Sequence, residues 1–383
     1  MVPSLDNGVT FSASLANPFP GGLNPALGAK AGTSTYLGQG VSFFNQNLKN
    51  PYMQRWSVSA ERELPWKSVL EVSYVGNRGT RQRITKNLDA IPNQYLSTSP
   101  VRDQATINLL SSQVANPFYP LLPGTNLGSA TVALSQLLLA YPQFVGGVSM
   151  DTNQGYSWFH ALEVRSEKRF SSGLSASLSY TWSKMMEAIN YKNAADLMPE
   201  RIISDQDRTN HLAITFMYEL PFGKGKRFAG AASGPASLMA SGWQLQAIYN
   251  IQSGAPLGFG DALSLCNANQ VSLPGNQRSV KRWFDTSCFV TVSNQQLASN
   301  VQTLPTRFSY IRGDGQNQAD ISIIKNTRIR EGLNSQFRFE AINALNHPQF
   351  STPNTSPTST AFGQVTTTWG FPRIMQFGLK FLF

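Results

Sequence analysis

The residues best suited to chemistry are spread thinly along this sequence. Its three histidines, His160, His211 and His347, lie far apart, and no His-Glu-x-x-His, Cys-x-x-Cys, Gly-x-Ser-x-Gly or phosphate-loop pattern occurs. The segment Gly313-Asp-Gly-Gln-Asn-Gln-Ala-Asp lacks the correctly placed glycine and the terminal glutamate of an EF-hand. We therefore predict no catalytic residue, no metal site and no cofactor, and expect a protein that is not an enzyme.

Charged residues recur at spacings of two, which places them on one face of a strand. Glu163 and Glu167 could in principle form an acid–base pair, but this spacing also suits ion pairing on a strand face. Unpaired charges in a narrow lumen are costly, so we predict cross-strand ion pairs. A substrate-selective lining is the alternative role. The predicted lumen-facing charged wall comprises Arg55, Glu61, Glu71, Glu163, Arg165, Glu167, Asp320, Arg338, Glu340 and Lys380.

The only two cysteines, Cys266 and Cys288, lie 22 positions apart in one long loop region. This arrangement suits a single disulfide in an oxidising compartment. Two unpaired, buried thiols are the alternative.

The elements that must position these residues are β-strands of alternating polarity. In residues 174–182, every second side chain from Leu174 to Trp182 is apolar, and the intervening ones are serine or threonine. Such a period of two is expected when one face meets lipid and the other a polar interior. The same pattern, at varying strength, predicts nine strands at residues 54–62, 69–75, 160–170, 174–182, 211–220, 242–252, 318–326, 335–343 and 374–383.

The connections between these strands alternate between short and long. Outer-membrane barrels have tight periplasmic turns and long external loops, so this asymmetry favours a barrel. Short turns are predicted at 64–68, 171–173 and 330–334, an intermediate turn at 221–241, and long loops at 77–155, 185–210, 253–317 and 344–373. A short helix is predicted within 126–141, where apolar residues recur at helical spacing.

Composition and charge exclude further classes of protein. The 383 residues carry a net charge of +10, but Lys and Arg are scattered singly, so we expect no nucleic-acid partner. No apolar run approaches the roughly 18 to 20 residues of a membrane-spanning helix, which leaves a closed barrel as the membrane form. Residues 1–17 show no signal peptide. Aromatic residues cluster near strand ends, as in an interfacial girdle, with a sandwich core as the alternative.

The predicted strand directions indicate an incomplete barrel. The first and the last strand both run inward, and residues 1–51 are interpreted as an external loop that follows an earlier strand. Bacterial single-chain barrels have even strand numbers, whereas nine is odd. We therefore expect further strands upstream of Met1, with 52–383 forming the strands and long loops of the C-terminal portion.

Several segments resemble the C-terminal barrel region of Oar-like TonB-dependent receptors, over nearly the whole chain. The matching segments are Asn50-Pro-Tyr-Met-Gln-Arg-Trp-Ser-Val-Ser, Val72-Ser-Tyr-Val-Gly-Asn-Arg-Gly-Thr, Leu178-Ser-Tyr-Thr-Trp-Ser-Lys, Asp207-Arg-Thr-Asn-His, Leu220-Pro-Phe-Gly-Lys-Gly, Gly242-Trp-Gln-Leu, Trp283-Phe-Asp-Thr-Ser-Cys-Phe and Phe339-Glu-Ala-Ile-Asn-Ala-Leu-Asn-His-Pro-Gln-Phe. No single motif is decisive, but their order and spacing together are fairly specific.

The resemblance implies an all-β, antiparallel transmembrane barrel of about 22 strands in the bacterial cell outer membrane. It also implies energised import through the TonB complex, around a plug. By this resemblance, we expect the plug, the N-terminal regulatory domain, the TonB-contacting segment and roughly half the strands to be absent from this sequence. The expected partners are outer-membrane lipid, an unknown extracellular ligand, and the TonB complex through the missing N-terminal region.

The end of the chain resembles the signal that the barrel-assembly machinery recognises. The outward-facing residues of this terminal strand include Phe377, Leu379, Phe381 and the final Phe383. A free edge strand is also a natural template for strand addition. The alternative is a terminal lipid-facing strand with no assembly role.

The sequence thus predicts the barrel of a TonB-dependent receptor that captures and imports an unknown nutrient. Two other classes stay open: an adhesin or structural surface barrel without active transport, and a soluble β-sandwich binding module.

Overall fold

The computed structural model describes residues 14, 16–20, 32–122 and 124–383. Within them the chain forms mostly strands. The strands are β1 (Val41–Phe44), β2 (Tyr52–Leu64), β3 (Ser68–Asn87), β4 (Gln113–Ala115), β5 (Thr131–Ala133), β6 (Val148–Ser171), β7 (Leu174–Ala188), β8 (Ile202–Ile203), β9 (Asn210–Glu219), β10 (Trp243–Gln252), β11 (Pro256–Leu257), β12 (Phe308–Arg312), β13 (Gln316–Arg330), β14 (Leu333–Ile342), β15 (Gln349–Phe350), β16 (Thr368–Trp369) and β17 (Ile374–Leu382). The α-helices are α1 (Gln104–Ser111), α2 (Leu134–Leu137), α3 (Gly234–Ala240) and α4 (Ala268–Val271).

Nine of these strands form one sheet in the order β17-β14-β13-β10-β9-β7-β6-β3-β2. Strands that are consecutive in this path pair antiparallel. Each of the nine strand segments predicted from alternating polarity coincides with one of them, so the antiparallel all-β prediction is confirmed. Two short strands lie outside this order: β8 pairs with β7, and β1 pairs with β6.

The register gathers the apolar residues of successive strands onto one face. One row runs through Val72, Val164, Tyr180, Leu212 and Ile251, each directly opposite the next. Because side chains alternate between faces with a period of two, a one-residue slip in any strand would break these rows. The sheet therefore has one continuous apolar face and one polar face.

Much of the apolar face is exposed. Val58 on β2 is 71% exposed, and Phe377 on β17 is 73% exposed. A contiguous exposed apolar surface of this extent indicates contact with a membrane or a partner. Both edge strands carry this face, and within the described residues β2 pairs only with β3 and β17 only with β14.

The connections lie as predicted at the two ends of the sheet, but the strands are longer than the sequence indicated. β3 continues to Asn87 and β6 begins at Val148, so pairing extends well into the predicted loop 77–155. Register shifts between Gly79 and Ile84 interrupt this pairing. Such bulges disturb the alternation of polarity, which explains why the extension was not predicted.

Two further features of the loops differ from expectation. The short helix predicted within 126–141 is present but limited to α2, Leu134–Leu137, and β5 occupies residues 131–133 of the same segment. β1 lies inside the predicted external loop 1–51 and pairs parallel with β6; residues 1–13, 15 and 21–31 of that loop lie outside the described part. None of the described helices is both long and apolar enough to cross a membrane.

Candidate functional site

The polar face of the sheet carries the predicted charged wall. The ten residues named above all lie on this face, since each is separated by an odd number of positions from the apolar residues of its own strand. The sheet therefore brings them to one surface, although it spreads them over six strands.

The ion pairs of this wall run along strands rather than between them. Arg165 Nη2 lies 3.2 Å from Glu167 Oε2, and Arg338 Nη1 lies 3.6 Å from Glu340 Oε1. Glu71 stands directly opposite Arg165, yet no salt bridge joins the two among the described residues. The predicted cross-strand pairing is therefore wrong for these residues. Residues two positions apart share a strand face, so a flexible arginine side chain can reach a carboxylate on its own strand as readily as one on the neighbouring strand.

At the outer end of the sheet, the loops 253–315 and 343–373 fold together into a packed body, which we call the external cap. Its buried cluster comprises Leu257, Phe259, Ala262, Val271, Trp283, Phe284, Cys288, Phe289, Phe308, Ile311 and Phe362. The Phe259 ring centroid lies 4.9 Å from that of Phe284 and 4.6 Å from that of Phe289. Aromatic packing of this kind makes the cap a small hydrophobic core of its own.

The two cysteines are joined in a disulfide inside the cap. Cys288 is buried in the aromatic cluster, and Cys266 packs against that cluster from outside. The bond closes a loop with a sequence separation of 22. It therefore restricts the unfolded cap as well as anchoring the folded one.

We expect reduction of this disulfide to destabilise the cap by about 2–4 kcal/mol, because a loop of this length then regains its freedom in the unfolded state. Thermal unfolding and limited proteolysis of residues 253–315, with and without reductant, measure the effect. The Cys266→Ser/Cys288→Ser variant is the control, since reductant should leave it unchanged. Equal cap stability in oxidised and reduced protein would contradict the expectation.

Two buried ion pairs attach the cap to the sheet. Arg312 Nη2 donates to Asp207 Oδ2 at 2.6 Å, and the Asp207 side chain is fully buried. The backbone N–H of Met185, on β7, also donates to Asp207 Oδ1, at 2.6 Å. The connection 189–209 is thus fixed to both the cap and the outer end of β7. The second pair joins Arg307 to Glu187.

Beneath the cap, two neighbouring cavities of about 380 and 250 Å³ open on the polar face. Arg208 and Gln252 line both, so we treat them as one site and call it the luminal mouth. Its further lining includes Phe159, His211, Phe350 and Trp369. Together the two volumes fall within the range of small-molecule sites, and the mixture of aromatic and polar groups is typical of them.

Arg208 is the principal charge in the luminal mouth. Its Nη1 donates to the backbone oxygens of Asp205 and Asp207, at 2.8 and 2.9 Å. Its Nε and Nη2 make no hydrogen bond to the described residues. A guanidinium held in this way can present its remaining N–H groups to a carboxylate or phosphate. Arg208 lies in the segment Asp207-Arg-Thr-Asn-His, but no local pattern in the sequence marks it as a binding residue.

Four loop carboxyls have shifted pKa values; the pKa of Asp285 is lowered by hydrogen bonds from Ser287 and Arg282. Burial raises the pKa of Asp89 and of Asp261. The Thr106 hydroxyl donates to the Asp103 side chain and, with the Thr106 backbone N–H, lowers the pKa of Asp103 to about 2. Asp103 is the N-cap of α1, so its ionised form stabilises the first turn of that helix.

The depressed pKa sets the pH dependence of α1. A carboxyl group whose pKa is lower in the folded state stabilises the fold at pH values above its unfolded pKa of 3.8. This contribution is lost as the pH falls through about 2. We expect the amides of α1 to exchange faster, relative to β7, as the pH falls through this window. Hydrogen exchange followed by mass spectrometry measures this, with Asp103→Asn as the control that should show no such change. An unchanged ratio would contradict the prediction.

The described residues contain no group of three or more His, Cys, Asp or Glu side chains that could hold a metal ion. The three histidines are not brought together: His160 lies on the apolar face, His211 lines the luminal mouth, and His347 lies in the loop after β14. The geometry suits noncovalent capture of a ligand at the luminal mouth.

A protein-family model described as "Outer membrane beta barrel domain" matches residues 2–376. No curated protein matches the sequence.

Solved structures of outer-membrane transporters are similar at low sequence identity. The Escherichia coli transporter YddB is 9% identical, with 90% of this chain and 34% of that chain covered at a TM-score of 0.44. The Neisseria meningitidis iron transporter FrpB (F3-3 variant) is 10% identical, with 89% and 32% covered at 0.40. The Pseudomonas aeruginosa pyoverdine receptor FpvA, solved with pyoverdine bound, is 9% identical, with 88% and 30% covered at 0.39. This chain spans about a third of the length of these proteins.

Proposed function

Because this chain belongs to the outer-membrane β-barrel domain family, we propose that it forms the outer wall and ligand-capturing mouth of a TonB-dependent importer. The observation that carries the proposal is the luminal mouth, a ligand-sized site on the polar face beneath a cap fixed by buried ion pairs. The cargo is a nutrient of unknown identity, and the Oar-like subtype rests on the motif resemblance. The outer-membrane location predicted from the sequence is confirmed by the family match.

The nine strands of the main sheet form, in this proposal, one part of a larger closed barrel. Support comes from the two edge strands β2 and β17, which each have one neighbour within the described residues and yet carry the exposed apolar face. An open sheet edge in hydrocarbon leaves backbone N–H and C=O groups without partners, so membrane strands occur in closed barrels. In this proposal the remaining strands and the plug are supplied by other parts of the transporter.

Each part of the chain then has a role in import. The external loops and the luminal mouth capture the ligand, with Arg208 binding an anionic group on it. The charged wall surrounds the plug. Its ion pairs run along the strands and are exposed to water, so these side chains can change partners when the plug rearranges. TonB acts through the plug region.

The terminal strand β17 serves barrel assembly in this proposal. Phe377, Leu379 and Phe381 alternate along its apolar face, and the final Phe383 is 99% exposed. An edge strand with unpaired backbone groups can pair with a strand of the assembly machinery.

The proposal is tested by comparing spent growth media. The parent strain, a strain lacking the gene, and the parent treated with a protonophore are grown in complex medium, and the residual compounds are measured by mass spectrometry. We expect at least one compound to be consumed only by the untreated parent, since TonB-driven import needs the proton gradient. Complementation with Arg208→Gln should restore consumption only in part if the cargo is anionic, while Lys224→Gln, on the connection 220–242, should restore it fully.

Indistinguishable media from the parent strain and the strain lacking the gene would contradict import. The alternative, an adhesin or structural barrel, predicts instead that deletion changes surface attachment while the media stay identical.

A further inference from the structure

A cavity of about 420 Å³ opens on the apolar face of the sheet, at its outer rim. Tyr74, Leu162 and Trp182 line it from the sheet, and Ile203 and Ser309 line it from the overhanging loops. The Tyr74 hydroxyl is hydrogen-bonded to His160 Nδ1 at 2.7 Å, which fixes this wall. The cavity, which we call the rim groove, is separate from the luminal mouth because it faces the opposite side of the sheet.

The rim groove lies where the hydrocarbon of a membrane ends. Leu174 and Trp182 bound the apolar run of β7, which spans roughly 26 Å at about 3.3 Å per residue. With the strand tilt of about 40° found in outer-membrane barrels, this run covers about 20 Å of the apolar band, which is about 25 Å tall. Trp182 is 56% exposed at the outer end of this run, where aromatic residues of the interfacial girdle lie. The groove therefore begins among acyl chains and ends at the height of lipid headgroups.

Basic side chains stand at the outer opening of the groove, on the same face. Lys184, two positions after Trp182, lines the groove itself, and Arg78 lies opposite Trp158 on the neighbouring strand. Both are exposed, and neither has an ion-pair partner among the described residues. The guanidinium of Arg201 lies 4.4 Å from the Trp158 ring centroid. Three cations thus surround the outer opening of an apolar groove.

The spacing of these cations suits a single phosphate. Lys184 and Arg78 flank β6 on either side, so their backbones are two strand spacings of about 4.8 Å apart, with an offset of two residues. Long Lys and Arg side chains can extend toward each other across that distance. The fourth cation at this rim, Arg312, is neutralised by Asp207 and is not available.

We propose that the rim groove binds a phosphorylated acyl lipid of the outer leaflet, with an acyl chain in the groove and the phosphate held by Lys184, Arg78 and Arg201. Charge complementarity selects this occupant. A lipid without a phosphate would leave the three cations without a counterion, and a free phosphate would not use the apolar groove. The bound lipid braces the overhanging loop that carries Ile203, and with it the cap. This site is independent of whether the barrel imports anything.

The test is lipid binding by the protein extracted from outer membranes into a neutral detergent, measured by native mass spectrometry. The probes are dioctanoyl phosphatidic acid, dioctanoylglycerol, which lacks the phosphate, and inorganic phosphate. We expect tight binding of phosphatidic acid only. Equal binding of dioctanoylglycerol would overturn the role of the cations, and full displacement of phosphatidic acid by inorganic phosphate would overturn the role of the groove.

Matched variants locate the site. Lys184→Gln should weaken binding of phosphatidic acid about tenfold, as expected for the loss of one charge-assisted contact. Lys380→Gln removes the same charge from the polar face and should change nothing. Ser309→Trp, which fills the groove from the cap, should also weaken binding, whereas Ser293→Trp elsewhere on the cap should not. Unchanged binding in Lys184→Gln and Ser309→Trp, or equal losses in their controls, would refute the proposal.

Discussion

Replacing Leu178 with arginine is expected to prevent most of the protein from assembling in the outer membrane. Leu178 is the central residue of the apolar run of β7, and its neighbours across the strands include Ile214. An arginine on the lipid face at the bilayer midplane costs about 2–4 kcal/mol. That amount is a large fraction of the stability of most proteins. The measurement is the fraction of the chain that fractionates with outer membranes and resists urea extraction.

The adjacent residue provides the matched control. Ser177→Arg introduces the same side chain on the polar face, directly opposite Glu167. There the new cation gains a carboxylate partner instead of meeting hydrocarbon, so assembly should be close to that of the unmodified protein. Equal losses in both variants, or a larger loss in Ser177→Arg, would mean that the apolar face does not contact lipid.

The strands could be predicted because they obey a local rule. In residues 174–182 and 242–252, lipid on one side and water on the other impose a period of two, which is visible without knowing any partner strand. The register of the strands follows from the same alternation. A shift of one residue between two strands would put their apolar side chains on opposite faces, so only the other alignment gives one continuous apolar face. The alternation of short and long connections likewise predicted which ends of the strands lie together.

The external cap could not be predicted in this way. Its core joins Phe259, Phe289 and Phe362, which come from distant parts of two loops, and no periodic pattern links them. The segment Trp283-Phe-Asp-Thr-Ser-Cys-Phe was noted only as a family motif, although four of its seven residues are in the buried cluster. Closely spaced aromatic residues and a cysteine in a long loop indicate that the loop forms a packed core.

The luminal mouth was missed for a related reason. Arg208 and Gln252 are distant in sequence, and they meet because β9 and β10 pair at their outer ends. The ion pairs between cap and sheet depend on similar long-range meetings: Asp207 and Arg312 are separated by 105 positions. Sequence alone placed the charges together on one face of the sheet but could not identify their partners, because side-chain pairing depends on loop packing.

The second large effect is expected from Asp207→Ala, which should detach the external cap from the sheet. The Asp207 carboxylate is fully buried, pairs with Arg312 and accepts the N–H of Met185. Removal of one member of a buried pair leaves the other charge uncompensated and costs about 3–5 kcal/mol. We expect the cap to unfold at a lower temperature than in the unmodified protein and to become sensitive to protease, while the sheet stays assembled in the membrane.

Two comparisons distinguish the buried pair from a general effect of charge removal. Arg282→Ala breaks an exposed pair with Asp285, at 2.8 Å, and should cost at most about 1 kcal/mol. The double variant Asp207→Leu/Arg312→Met removes both buried charges together, so it should lose less stability than Asp207→Ala alone. If Asp207→Ala instead behaved like Arg282→Ala, the pair would not hold the cap in place. The luminal mouth would then lack the fixed roof on which ligand capture depends.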